Sequence, residues 1–157
     1  MAATAAAGFT AKEAALRLLG GRPPVELWCG AVRFTLAENP GAFLGLGRAF
    51  PEAARRAILV GGVGLVLLGV LAYLFAAGTL RPARSVAAGL MLGGGIANLV
   101  DRLPDGLVTD YVVLSAGPLR TGVFNLPDAA ILTGVVLWLI VGAVTPKAAS
   151  DVPSSDA

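Results

Sequence analysis

The 157 residues are 56% hydrophobic and only 14% charged, with a mean hydropathy of +0.78; soluble domains carry about 25% charged residues, so the excess apolar surface here must face lipid. The net charge is +2 and the basic residues are scattered, which reads as cations flanking membrane segments and excludes the clustered patch of a nucleic-acid surface. One cysteine, Cys29, and no histidine exclude Ser-His and Cys-His nucleophiles, imidazole metal sites and an internal disulfide, leaving proton chemistry to carboxylates, Lys, Tyr or the termini.

In chain order, the start "MAATAAAG" lacks the cationic and long apolar regions of a secretory signal. The spacing of Phe9, Ala14, Leu16 and Leu18 predicts a helix over 8–21 that stops at Gly20-Gly21, before Pro23-Pro24. Residues 25–47 alternate as strands do (Leu27, Cys29, then Val32, Phe34, Leu36) and turn at "ENPG", which predicts a small sheet at the membrane interface.

Residues 57–80 hold 24 positions without a charge, enough for a helix of about 36 Å against a hydrocarbon core of about 30 Å. The turn "RPAR" (81–84) sends a second span back through 85–100, short at 16 uncharged residues. Its Gly93-Gly94-Gly95 run predicts close helix–helix contact. A polar connection over 103–127 leads to a third span, 129–146, ending at "TPK". The organisation expected is an N-terminal helical segment (1–22), a sheet and interfacial segment (23–56), membrane helices with the functional loop (57–146), and a disordered tail (147–157). Seven cations (Lys12, Arg17, Arg22, Arg33, Arg48, Arg55, Arg56) precede the first span against two in "RPAR", which by the positive-inside rule assigns the N-terminal region to the cytoplasm.

Two acids stand out. In "FNLPD" (124–128), Asn125 reads as an N-cap, Pro127 as a first-turn proline, and Asp128 as a first-turn acid facing the helix dipole. Asp110, in "VTDYVVL", has few polar neighbours and no cap role; it is either an interfacial acid paired with an arginine or a functional group. If both reach one small site they cannot easily both ionise, so one holds a proton beside a charged partner: a general acid next to a general base. Asp101-Arg102 reads as local charge pairing at a membrane boundary. Asn98, one turn before Arg102, offers its amide to a nearby backbone or carboxylate. Acids used as a transporter's proton relay belong near mid-span, whereas both of these sit at span ends.

Three blocks in order carry a resemblance: "ENPGAFLGLG" (38–47), "GGGIANLVDRLPDGLVTDY" (93–111) and "FNLPDAAI" (124–131). Together the chain resembles the signal peptidase II family of small polytopic membrane aspartic peptidases. The resemblance implies a mostly α-helical membrane protein with four helices, three of them visible here, and a small periplasmic β-sheet (the β-cradle). It implies Asp110 and Asp128 as the catalytic pair, with Asn39, Gly41, Asn98, Asp101, Arg102, Gly106 and Asn125 supporting the site or binding substrate. It implies cleavage of diacylglyceryl prolipoproteins just before the lipobox cysteine, at the periplasmic or outer face of a bacterial inner membrane. No metal or cofactor is called for, and the partners are prolipoproteins and membrane lipid; a monomer is expected. An upstream transmembrane helix would reconcile that outer placement with the cation count. The chain departs from the family pattern at Ala97 (Gly favoured), Pro127 (Ala usual), Phe43, and Gly8, which stands where an Asp-x-x-x-Lys motif ending at Lys12 has its Asp. These departures leave an alternative: a catalytically impaired member that binds lipoprotein signal peptides without cutting them.

Overall fold

The computed structural model describes residues 1–41, 47 and 49–144. The "TPK" stop and the tail over 147–157, for which disorder is expected, lie outside the described residues, as does Phe43.

The Ala-rich start has high helix propensity, and α1 accordingly runs Ala2–Leu19, beginning earlier than the periodicity predicts. Gly20 follows it and Gly21 takes φ +67. A hairpin of β1 (Val25–Leu27) and β2 (Val32–Asn39) comes next, turning through Trp28 and Cys29 at positive φ.

One continuous helix, Glu52–Ala76, then makes the first crossing. It consists of α2 (Glu52–Arg56), a π-helical segment (Ala57–Gly62) and α3 (Val63–Ala76). The second crossing, α4 (Pro82–Arg102), has Pro82 in its first turn, and the third is α5 (Leu126–Val144). These three are long and apolar enough to cross a membrane. The span expected over 85–100 is short because its polar end, Asp101-Arg102, is still helix.

The stretch 103–127 is more than a polar connection. It carries β3 (Val108–Ala116) and β4 (Leu119–Arg120), which complete a four-stranded antiparallel sheet in the order β1-β2-β3-β4. Half of the sheet expected from 23–56 therefore comes from the loop between the last two spans. Asn39 pairs with Val108 and Ala37 with Asp110. Since side chains alternate faces, Asn39 and Asp110 are diagonal neighbours on one face of the sheet.

The bundle is apolar outside and polar within. Leu65, Leu68, Phe75, Leu139 and Val144 are exposed, as lipid-facing residues should be, while Lys12, Asn98, Arg102, Asp110 and Asn125 are buried. The hub is α4. Successive helical residues point about 100° apart, and its three consecutive glycines accordingly face three different helices. A Cβ on Gly93 would lie 2.6 Å from Thr4 of α1, one on Gly94 2.5 Å from the Pro127 carbonyl of α5, and one on Gly95 2.7 Å from Leu67 of α3. Small residues are what permit that approach in a membrane, where packing replaces the hydrophobic drive.

Candidate active site

Asp128 sits in the first turn of α5, held by the cap that "FNLPD" predicts. The Asn125 side chain accepts from the Asp128 backbone N–H (2.9 Å), and Asp128 accepts from the Asn125 backbone N–H (3.2 Å), a reciprocal capping box. The capping role and a place in the site prove compatible, because the second carboxylate oxygen of Asp128 accepts from the Asn98 amide at 2.7 Å.

Asp110 is 1% exposed. No arginine pairs with it among the described residues; instead Asn39 Nδ2 donates to Oδ2 (2.8 Å) and Asn125 Nδ2 to Oδ1 (2.7 Å). Asn125, wholly buried, therefore touches both acids: its amide donates to Asp110 while its cap holds Asp128. Burial pushes the Asp110 carboxyl up to about 6, and the nearby Asp128 charge pushes the same way against the amides of Asn39 and Asn125.

Each amide that serves a carboxylate is oriented by what its oxygen accepts. Asn39 Oδ1 takes the Gly41 N–H (3.0 Å), so the "ENPG" turn begins as an Asx turn. Asn98 Oδ1 takes Lys12 Nζ (2.8 Å) and Asn125 Nδ2 (3.1 Å). All donors thus point inward at the two acids.

The expected Asp101–Arg102 pairing is replaced by partners from elsewhere. Asp101 accepts from Lys12 Nζ (2.7 Å) and from the Thr109 N–H (2.8 Å), tying α1 and β3 to the end of α4. Arg102 turns inward, donating to the Gly41 carbonyl (2.7 Å) and to the Asn98 carbonyl (3.3 Å), so it fixes the 39–41 turn over the acids. It does not snorkel outward, because buried carbonyls within reach accept from both of its terminal nitrogens. Gly106 stands apart from the acids: it takes φ +80 in the turn after α4 and packs against Arg56.

Lys12 and Tyr111 join the site although the reading of the residues does not single them out for it. Lys12 looks like an ordinary cation on a charged helix, yet is 4% exposed; the Asp-x-x-x-Lys resemblance is the available signal. The Tyr111 hydroxyl accepts the Leu126 N–H at 3.2 Å, bracing the start of α5.

Two clefts meet at Asp128. One, about 320 Å³, is lined by Leu59, Val63, Gly95, Ile131 and Val135 with Asn98 and Arg102 at its polar end. The other, about 280 Å³, lies between the sheet and α5, along Leu114, Val123, Phe124 and Ala129. Leu132 lines both. The Asp128 carboxylate thus stands at the junction of two largely apolar clefts.

Helices long enough to span a bilayer, a small sheet over their ends, and two carboxylates joined through Asn125, one buried and one half-buried, define a polytopic membrane protein with an acidic polar site. The same fold occurs in a bacterial membrane enzyme solved by the in meso method, with a TM-score of 0.75 at 18% identity, covering 95% of this chain and 89% of that one. The family model described as "Signal peptidase (SPase) II" matches residues 4–144, and the chain belongs to that family. Curated proteins named lipoprotein signal peptidase are similar to it. That of Methylorubrum extorquens is 37% identical over 132 residues (84% of this chain, 68% of that one). That of Chlorobium luteolum is 32% identical over 144 (87% and 83%). Against the Streptomyces griseus protein, 33% identical over 121 residues, the match spans 76% of this chain and 58% of the relative's length.

Proposed function

We propose that the chain is an aspartic endopeptidase that removes the signal peptide from diacylglyceryl-modified prolipoproteins, cutting just before the lipid-bearing cysteine. The observation that carries this reading is the pair of acids joined through Asn125, Asp110 buried and Asp128 half-buried and opening onto two apolar clefts. A substrate with an apolar signal helix and two acyl chains matches that junction of channels, and the names of the relatives point to the same class.

Burial, with the Asp128 charge pushing the same way, raises the Asp110 carboxyl to about 6, so the pair can hold one proton beside a charged partner at mildly acidic pH. The ionised member takes a proton from a water molecule as its oxygen attacks the scissile carbonyl. The protonated member donates to the carbonyl oxygen, giving a neutral tetrahedral diol. Proton transfer to the nitrogen then breaks the C–N bond, releasing the signal peptide's carboxyl end and the amine of the lipidated cysteine. Asn39, Asn98 and Asn125 aim donors at the acids, while Arg102 holds the Asn39–Gly41 turn above them. All these groups come from one chain, so a monomer suffices. The site belongs at the outer face of a bacterial inner membrane, where an acylated cysteine rests near the headgroups.

Purified protein mixed with a diacylglyceryl prolipoprotein in lipid–detergent micelles tests this. Mass spectrometry should find a mature chain beginning at the lipidated cysteine, with no cleavage of the unlipidated precursor and none by Asp128→Asn. Cleavage surviving in Asp128→Asn refutes the mechanism; binding without cleavage by the unaltered chain replaces the enzyme with the signal-peptide binder.

A further inference from the structure

The Pro127 ring, wholly buried, sits between the capping residue Asn125 and Asp128. It is seated against α1: a Cβ built on Gly8 would lie 2.8 Å from Pro127 Cγ and 3.5 Å from Cδ. Its carbonyl lies against α4, where a Cβ on Gly94 would come within 2.5 Å. The ring is therefore seated on Gly8 of α1, while the backbone of the same residue is seated on Gly94 of α4. Proline fixes its own φ near −65°, so a seated ring also fixes the first turn of α5, from which the Asp128 carboxylate projects.

We propose that Gly8 is a positioning residue: its bare backbone is the socket for the Pro127 ring, and through that ring α1 sets the aim of Asp128 without contributing an atom to the acid pair. The proposal rests on the endopeptidase reading for what the aim is used for; the socket itself does not. Both departures from the family pattern, Gly8 and Pro127, then form one feature. A side chain at 8 and a ring at 127 compete for the same space, so neither position changes freely without the other.

The consequence is a specific non-additivity. Gly8→Ala forces a methyl into the ring and turns the start of α5. A displacement of about 1 Å at a catalytic group costs on the order of 100-fold in rate, so kcat should fall about ten- to 100-fold with KM nearly unchanged. Pro127→Ala, which keeps the capping box, should lose only about threefold, the effect of a small void and a looser turn. The double variant should recover to about the level of Pro127→Ala, since the new methyl fills the vacated space. What remains is the 3.1 Å approach to Ala97 Cβ, which a few tenths of an ångström relieve. Gly69→Ala is the control, because a Cβ there meets nothing within 4 Å.

Activity against the lipidated substrate and the infrared carboxyl band of the acid pair, titrated with pH, are measured on all five proteins. Gly8→Ala should displace the carboxyl titration and the double variant should restore it, whether or not the chain turns over substrate. An inactive unaltered chain with a rescued carboxyl titration defeats the endopeptidase reading and leaves the socket standing. Losses in the double variant equal to the product of the single losses, with no spectral rescue, overturn the socket. If Gly8→Ala does not fold, folding restored by Pro127→Ala supports it, and a double variant that also fails to fold overturns it.

Discussion

Asp110→Asn looks like the mildest way to remove a charge, yet the geometry makes its effect on stability change with pH. Both oxygens of Asp110 accept amide donors, from Asn39 and from Asn125. An asparagine at 110 must aim its own NH2 at one of them. Neither neighbour can flip to help, since Asn39 Oδ1 holds the Gly41 N–H and Asn125 Oδ1 caps the Asp128 N–H. One buried donor is left without an acceptor, a cost of about 1–3 kcal/mol at any pH. Against this, the variant removes a carboxyl raised from 3.8 to about 6 in the fold. With the folded value above the unfolded one, the native state binds more protons between those values, and stability falls as pH rises through that window. Ionising Asp110 thus costs on the order of 3 kcal/mol at pH 7 and well under about 1 kcal/mol at pH 4. Asp110→Asn should therefore be the less stable protein at pH 4, and match or exceed the unaltered chain at pH 7, while cleaving nothing at either. Denaturant unfolding in micelles, followed by tryptophan fluorescence, gives both differences. A stability difference identical at the two pH values refutes the burial argument for Asp110.

Lys12→Met should strip the cation from Asp101 and from Asn98 Oδ1, releasing the amide that orients Asp128; breaking a largely buried pair costs about 3–5 kcal/mol, and cleavage should fall at least about tenfold. Arg17→Met removes a pair of similar length from the same helix, but with side chains 76% and 58% exposed, and should change neither melting nor cleavage; equal effects from both would sink the distinction. Cys29, the chain's one cysteine, is exposed on the hairpin turn of the sheet that carries Asp110, at the end of β2 opposite Asn39. If the site faces outward, a membrane-impermeant maleimide should label it in spheroplasts; labelling only after lysis would side with the N-terminal cation excess and place the site in the cytoplasm.

The membrane spans are legible in the sequence because water tolerates no exposed uncharged run of that length, and "FNLPD" is legible as a helix start because capping is local chemistry. The sheet's second half is not. Val108–Ala116 pairs with Val32–Asn39 across the whole first crossing and α4, and no pattern inside "GLVTDYVVL" announces a partner some 70 residues away. The acids themselves stand out, but neighbours in sequence are a poor guide to their partners. Asp101 and Arg102 suggest a pair because they adjoin; in the fold one turns to α1 and the other to the 39–41 turn. Lys12 is inconspicuous for a related reason: helix α1 is amphipathic only weakly, and which of its cations is buried depends on where α4 lies.

Asn125 cannot fray without disarming the pair. Because the same side chain seals the end of a helix and steadies an acid on a strand, any loosening of that end, by warmth or by a thinner bilayer, reaches the chemistry before it reaches the bundle. For the proposed enzyme, activity should then fail on warming before the helices come apart.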